Sequence, residues 1–104
     1  MKRVKRRYIA LRLEYDGLPS EREFMDAIWA AVTKLYGEVG ASLTGLSLIN
    51  FDVDRKIFVI RTSLASLYIV RASLATVTNA AGKTASLNVL AVSGTLKALY
   101  AKLG

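Results

Sequence analysis

The run Ile57-Phe58-Val59-Ile60 constrains this chain more than any other stretch. Four consecutive apolar residues, three of them β-branched, stand between Lys56 and Arg61. A short apolar run bounded by polar and turn-forming residues reads as a strand buried on at least one face. Asp52-Val53-Asp54-Arg55 just before it predicts a hairpin back to a strand over residues 46–51. Ser63 just after it predicts the cap of a helix. Residues 56–61 are therefore expected to form a central strand. Arg61 sits where that strand runs out, a position from which a charge can face a ligand.

The other elements follow from periodicity. Ile9, Leu11 and Leu13 alternate with Tyr8, Ala10, Arg12 and Glu14, which predicts a first strand over 8–15. Ser20-Glu21-Arg22-Glu23 is a capping box, and the helix expected behind it puts Phe24, Ile28, Ala31, Val32 and Leu35 on one stripe. Met25 and Trp29 flank that stripe as shoulders of the core. Gly37 is placed to end this helix in a left-handed cap, and Gly40 is read as a second break. A second helix is expected from Ser63 to about Thr78, with Leu67, Val70, Leu74 and Val77 facing the sheet. The turn at 79–82 leads to a strand over 85–92, and Ser93-Gly94-Thr95 opens a last helix with Leu96, Leu99, Tyr100 and Leu103 on one face. The order β-α-β-β-α-β plus a terminal helix is the ferredoxin-like, α+β split βαβ sandwich, shared with RNA-recognition-motif domains. The basic-Gly-aromatic signature of those domains is missing from the third strand, where only Phe58, with Tyr8 on the first strand, could stand in.

Composition limits the function classes. One domain accommodates 104 residues, and the 53% hydrophobic content without a run of membrane-span length assigns the apolar excess to a core or a protein interface. The chain contains neither Cys nor His, which removes disulfides, thiol nucleophiles and imidazole catalysis, and fits an intracellular, cytoplasmic setting. The net charge of +7 is unevenly spread. Residues 1–7 carry five cations (Lys2, Arg3, Lys5, Arg6, Arg7) and no acid, 8–54 hold all eight carboxylates, and 55–104 carry seven cations and none. An acid-free half behind a basic arm suits a polyanionic partner such as nucleic acid.

A specific resemblance joins these features. Arg7-Tyr8-Ile9, Tyr36-Gly37-Glu38-Val39-Gly40-Ala41-Ser42, Ile60-Arg61-Thr62, Val70-Arg71-Ala72-Ser73-Leu74 and Val92-Ser93-Gly94-Thr95-Leu96-Lys97 occur in this order and spacing. The ordered set resembles ribonuclease P protein component 2, the small subunit of archaeal enzymes and, in longer form, of eukaryotic ones. The likeness runs from about Arg6 to Leu103. It departs from the family pattern at 64–69, which carries no charge, and in a last helix less basic than typical.

The resemblance implies a subunit without catalytic residues of its own and with no cofactor. Its partners would be ribonuclease P RNA, precursor tRNA and a larger barrel-shaped protein subunit, in a homodimer or a dimer of heterodimers, with no membrane. Mg²⁺ would belong to the RNA, which removes the 5′ leader of precursor tRNA. The RNA-binding candidates are Lys2, Arg3, Lys5, Arg6, Arg7, Arg61, Ser93, Gly94, Thr95 and Lys97, with Arg71 left open. Ser93-Gly94-Thr95 would present backbone amides to a phosphate at a helix start. Asp52 and Asp54 are assigned to turn chemistry rather than to a cation. Tyr68, Ile69 and Ala72, on the face of the second helix turned from the sheet, are the candidate protein interface. The competing reading is a regulatory module that dimerises through its sheet and holds a small metabolite in a loop at 37–42. That reading gives no reason for the acid-free half.

Overall fold

A computed structural model describes residues 5–15, 20–52, 54–77, 79–80 and 83–103. The chain runs β1 (Arg6–Tyr15), α1 (Glu21–Ser42), β2 (Ser47–Asp52), β3 (Ile57–Ser63), α2 (Leu67–Leu74), β4 (Asn79–Ala80), β5 (Lys83–Ser93) and α3 (Leu96–Leu103). The strands form an antiparallel sheet in the order β2-β3-β1-β5-β4. Without the two-residue β4, this is the ferredoxin-like arrangement expected from the sequence. Among the described residues no helix is long and apolar enough to cross a membrane.

The alternation in β1 sets up two cores. Ile9, Leu11 and Leu13 point to one face, where they meet Phe24, Ile28 and Val32 of α1, Phe58 and Ile60 of β3, and Val70 and Leu74 of α2. Phe58 stacks on Phe24 with ring centroids 3.8 Å apart and meets Phe51 edge-on at 4.1 Å. The opposite face is smaller: Ala10 and Val59 carry Leu99 of α3, with Tyr8, Ile49, Ala91, Leu96 and Leu103 around them. Two hydrogen bonds tie α3 down, from Asn50 Nδ2 to Tyr100 Oη at 3.2 Å and from Lys102 Nζ to the Val92 carbonyl at 2.8 Å. The capping box is formed as expected, with Glu23 N donating to Ser20 Oγ and Ser20 N donating to Glu23 Oε1.

Several local readings change. Gly37 does take a positive φ, 76° with ψ 171°, but it kinks α1 rather than ending it, and helix continues through Gly40 to Ser42. The stretch 37–42 is therefore not an open ligand loop. Leu35, in the last turn before the kink and beyond the buried Val32, is 46% exposed instead of buried. Ser63 caps a 3₁₀ turn at Leu64–Ser66, not the α-helix, which begins at Leu67 and stops at Leu74. Residues 79–80 join the sheet as β4 instead of forming only a turn, while Thr78, Ala81 and Gly82 lie outside the described residues. In β5 the register shifts between its pairings to Ala10 and Leu11, leaving Leu90 without an opposite partner. That bulge brings Val92 onto the same core as Leu87 and Val89, a change that strict two-residue alternation does not anticipate.

The packing makes two predictions for unfolding experiments. Phe58→Ala should destabilise the chain by about 3–5 kcal/mol, because it removes the ring between two others from a fully buried site. Gly37→Ala should cost about 1–3 kcal/mol, since a side chain is strained at that backbone conformation. Urea denaturation midpoints with an unchanged slope would check both; a Gly37→Ala chain as stable as the parent would contradict the kink geometry.

Candidate nucleic-acid interface

Antiparallel pairing decides which residues meet. The start of β1, the end of β3 and the end of β5 coincide, with Arg6 opposite Ser63, Arg7 opposite Thr62, and Tyr8 between Arg61 on one side and Ser93 on the other. Ser47 at the start of β2 completes that row beside Arg61. Lys5, Arg6, Arg7, Arg61, the 93–95 corner and Lys97 in the first turn of α3 therefore gather at one end of the sheet, though they come from three regions of sequence. Lys2 and Arg3 lie outside the described residues.

Backbone hydrogen bonds hold this end together. The Leu64 amide donates to the Lys5 carbonyl at 2.7 Å, fixing the root of the arm to the exit of β3. The Thr44 carbonyl accepts from the Ser63 amide at 2.8 Å and from Thr62 Oγ1 at 2.9 Å, while Thr44 Oγ1 donates to the Ala41 carbonyl at 2.8 Å. Thr44 and Thr62 are fully buried, so these bonds are shielded from water.

The cations at this end are uncommitted. Among the described residues the ion pair is Arg22 with Asp26 at 3.9 Å, both exposed on α1, and none involves Lys5, Arg6, Arg7, Arg61 or Lys97. Arg7 Nη1 donates to the Arg6 carbonyl at 2.9 Å. Arg61 lies on the α3 side of the sheet, two residues along β3 from Val59. Its Nε is buried without a hydrogen-bond partner. Leaving such a donor unpaired costs about 1–3 kcal/mol, a cost that an incoming acceptor would relieve.

At the 93–95 corner Ser93 is buried and Thr95 caps α3, its Oγ1 accepting from the Ala98 amide at 3.2 Å and its carbonyl from Leu99 at 3.1 Å. The remaining first-turn amides, those of Leu96 and Lys97, have no partner within the helix. The aromatics do not offer a stacking platform. Phe58 is fully buried on the α1 side, and Tyr8 is half-buried against the cluster under α3. At the far end, Asp52 Oδ1 accepts from the Arg55 amide at 3.2 Å, the turn role expected of it.

The candidate protein interface is only partly where the sequence placed it. Tyr68 is 79% exposed, and with Leu67, Arg71 and Ala72 it lines a shallow apolar hollow on α2. Ile69, expected on that outer face, is partly buried against the main core. Ile69 stands one helical turn before buried Ser73 and beside Val70, so it flanks the inward face of α2 rather than the outer one. Sequence reasoning missed a second apolar surface, where Val39 and Leu43 beyond the kink are 76% and 70% exposed. The apolar residues following Gly37 were its signal, hidden by reading that segment as a break.

Comparison with known proteins establishes the family and the fold. The Rpp14/Pop5 family matches over residues 7–103. Ribonuclease P protein component 2 of Pyrococcus furiosus is 36% identical over 96% of this chain and 83% of its own length. The protein of the same name from Methanosarcina mazei is 34% identical over 91% of this chain and 80% of its own length. A chain in the cryo-EM structure of yeast ribonuclease MRP shares the fold, with a TM-score of 0.69, 19% identity, and coverage of 92% of this chain and 79% of that one. A family match of this extent, with full-length relatives at these identities, leads to one conclusion: the chain belongs to the Rpp14/Pop5 family.

Proposed function

We propose that this chain is a non-catalytic, RNA-binding protein subunit of ribonuclease P, working in the cytoplasm on the maturation of precursor tRNA. The observation that carries the RNA-binding part is the gathering of Lys5, Arg6, Arg7, Arg61 and Lys97 at one end of the sheet, without carboxylate partners among the described residues. In this reading Lys2 and Arg3 also contribute charge to RNA binding. The cleavage chemistry and its Mg²⁺ belong to the RNA, while this chain binds phosphates and neutralises charge. Arg61 contributes a donor already stripped of water, and the Ser93-Gly94-Thr95 corner supplies the backbone amides of the first turn of α3. Arg71, exposed on α2 beside Tyr68, lies with the protein surface in this assignment. The partner there is the larger, barrel-shaped protein subunit, its docking surface built on Tyr68 and Ala72, and pairs of such heterodimers form the assembly.

RNA binding by these cations is chiefly electrostatic, so each phosphate contact should add about 0.7–0.9 to the slope of log affinity against log salt. Replacing Lys2, Arg3, Lys5, Arg6 and Arg7 together with glutamine should flatten that slope by several units. Replacing Arg12 and Arg55, exposed toward the other end, should leave it nearly unchanged. Equal flattening by both sets would mean that net charge, not this surface, does the binding.

Precursor-tRNA cleavage reconstituted with and without the chain tests the assignment to ribonuclease P. No gain in rate or in Mg²⁺ economy on adding the chain would contradict it.

For the protein surface, Tyr68→Glu should weaken association with the larger subunit by about 1–3 kcal/mol if the ring is a buried anchor there. The isolated chain should keep its stability, because the ring already faces solvent. Ile69→Lys should instead destabilise the isolated chain. Calorimetric titration with the partner and thermal melts of each variant would separate the two effects.

A further inference from the structure

Gly94 stands where the antiparallel register would put a neighbour for Arg7: Tyr8 faces Ser93, and each strand then runs one residue further. The Arg7 guanidinium lies over it. A Cβ built on Gly94 would stand 3.4 Å from Arg7 Nη1 and 3.7 Å from Cζ. Backbone conformation does not explain the glycine, since among the described residues positive φ is confined to Gly37, Gly45 and Lys56. The space above Gly94 is instead where the Arg7 guanidinium lies. A bare methyl group would just touch the guanidinium, and any γ atom directed there would occupy its place.

We infer that Gly94 is a positioning residue for RNA binding: it supplies the side-chain-free surface on which the Arg7 guanidinium rests, aimed at a phosphate of the RNA. The inference deepens the RNA-binding reading above and rests on it. A guanidinium carries five N–H donors in a planar fork, and the bond to the Arg6 carbonyl uses Nη1 alone. The remaining edge suits two phosphate oxygens at once. Resting a long side chain on a fixed surface before binding also reduces the rotamer freedom lost when RNA arrives. This differs from direct approach of a phosphate to the Gly94 backbone. There, a side chain at 94 would hinder binding whether or not Arg7 were present.

The experiment is a double-mutant cycle on the full chain. Affinity for a transcript of an archaeal ribonuclease P RNA is measured across a salt series for the parent, Arg7→Gln, Gly94→Val, and the two combined. Arg7→Gln should weaken binding about three- to tenfold and lower the salt slope by about 0.7–0.9. Gly94→Val should produce a comparable loss and a comparable fall in slope although it removes no charge, with Gly94→Ala giving a smaller loss. The combined variant should bind no more weakly than Arg7→Gln alone. Melting points should stay within about 3 °C of the parent; if valine unfolds the chain, Gly94→Leu takes its place in the cycle. A parent that does not bind the transcript, or an Arg7→Gln chain that binds as tightly as the parent, overturns the RNA reading of this corner and the inference with it. A weakened Arg7→Gln chain beside an unaffected Gly94→Val chain leaves that reading standing and overturns the inference. So does a Gly94→Val loss of equal size in both backgrounds.

Discussion

The architecture depends on β1 being enclosed on all sides. It pairs with β3 along one edge and β5 along the other, and Ile9, Ala10 and Leu11 are buried without exposure on either face. Such enclosure is possible only if the second face is shallow. Ala10 beside Ala91 leaves a bed low enough for Leu99 to seat α3 directly on the sheet. Larger side chains at those positions would lift the helix and expose Val59. Because β1 is central, its first residues can emerge only where two neighbouring strands finish. The basic segment is therefore delivered to Arg61 and the 93–95 corner by strand order alone.

Thr44 makes that end rigid enough to matter. It closes the exit of α1 through Ala41 and receives both Ser63 and Thr62 from β3, so α1 and β3 share one buried junction. The net contribution of each bond is modest, about 0.5–1.5 kcal/mol, but unpairing any of these buried groups would cost more than forming it yields. The position of Arg61 is inherited from this junction, since it lies immediately before Thr62 in β3. A change at Thr44, far from any basic residue in sequence, would thus loosen a cation in the proposed binding surface.

Much of this was legible in the sequence. The apolar run at 57–60, the alternation at 9–13 and the capping box at Ser20 each encode local structure through neighbours a few residues apart, and each is realised. The family resemblance was carried by segments spread along the chain in fixed order, and the match over 7–103 bears it out. What the sequence hid was set by distant contacts. The bulge at Leu90 depends on what Ala10 and Leu11 require across the sheet, and the inward turn of Ile69 depends on where α1 lies. The seat of Arg7 on Gly94 joins residues almost the full chain apart, so no local pattern reveals it. The candidate cations were readable one by one from charge segregation; their convergence needed the strand order.

The two ends of the sheet have a kinetic consequence. Glu14, Asp52 and Asp54 stand at the end remote from the arm, and the Phe24–Phe58 stack brings the acidic first turns of α1, with Glu21, Glu23 and Asp26, to that end as well. Arg12, Arg22, Arg55, Lys56 and Lys83 offset most of that charge, leaving this end near neutral while the arm's end is strongly positive. The molecule is thus an electric dipole whose positive pole is the proposed binding surface. In the field of a polyanion it experiences a torque before it experiences a contact, and collisions arrive already oriented. Such steering raises association rates by ~10–10³-fold over an unbiased collision and fades as salt shortens the reach of the field. Speed of capture and strength of grip are then set by different residues. Carboxylates remote from the proposed surface would then help govern how fast RNA is found.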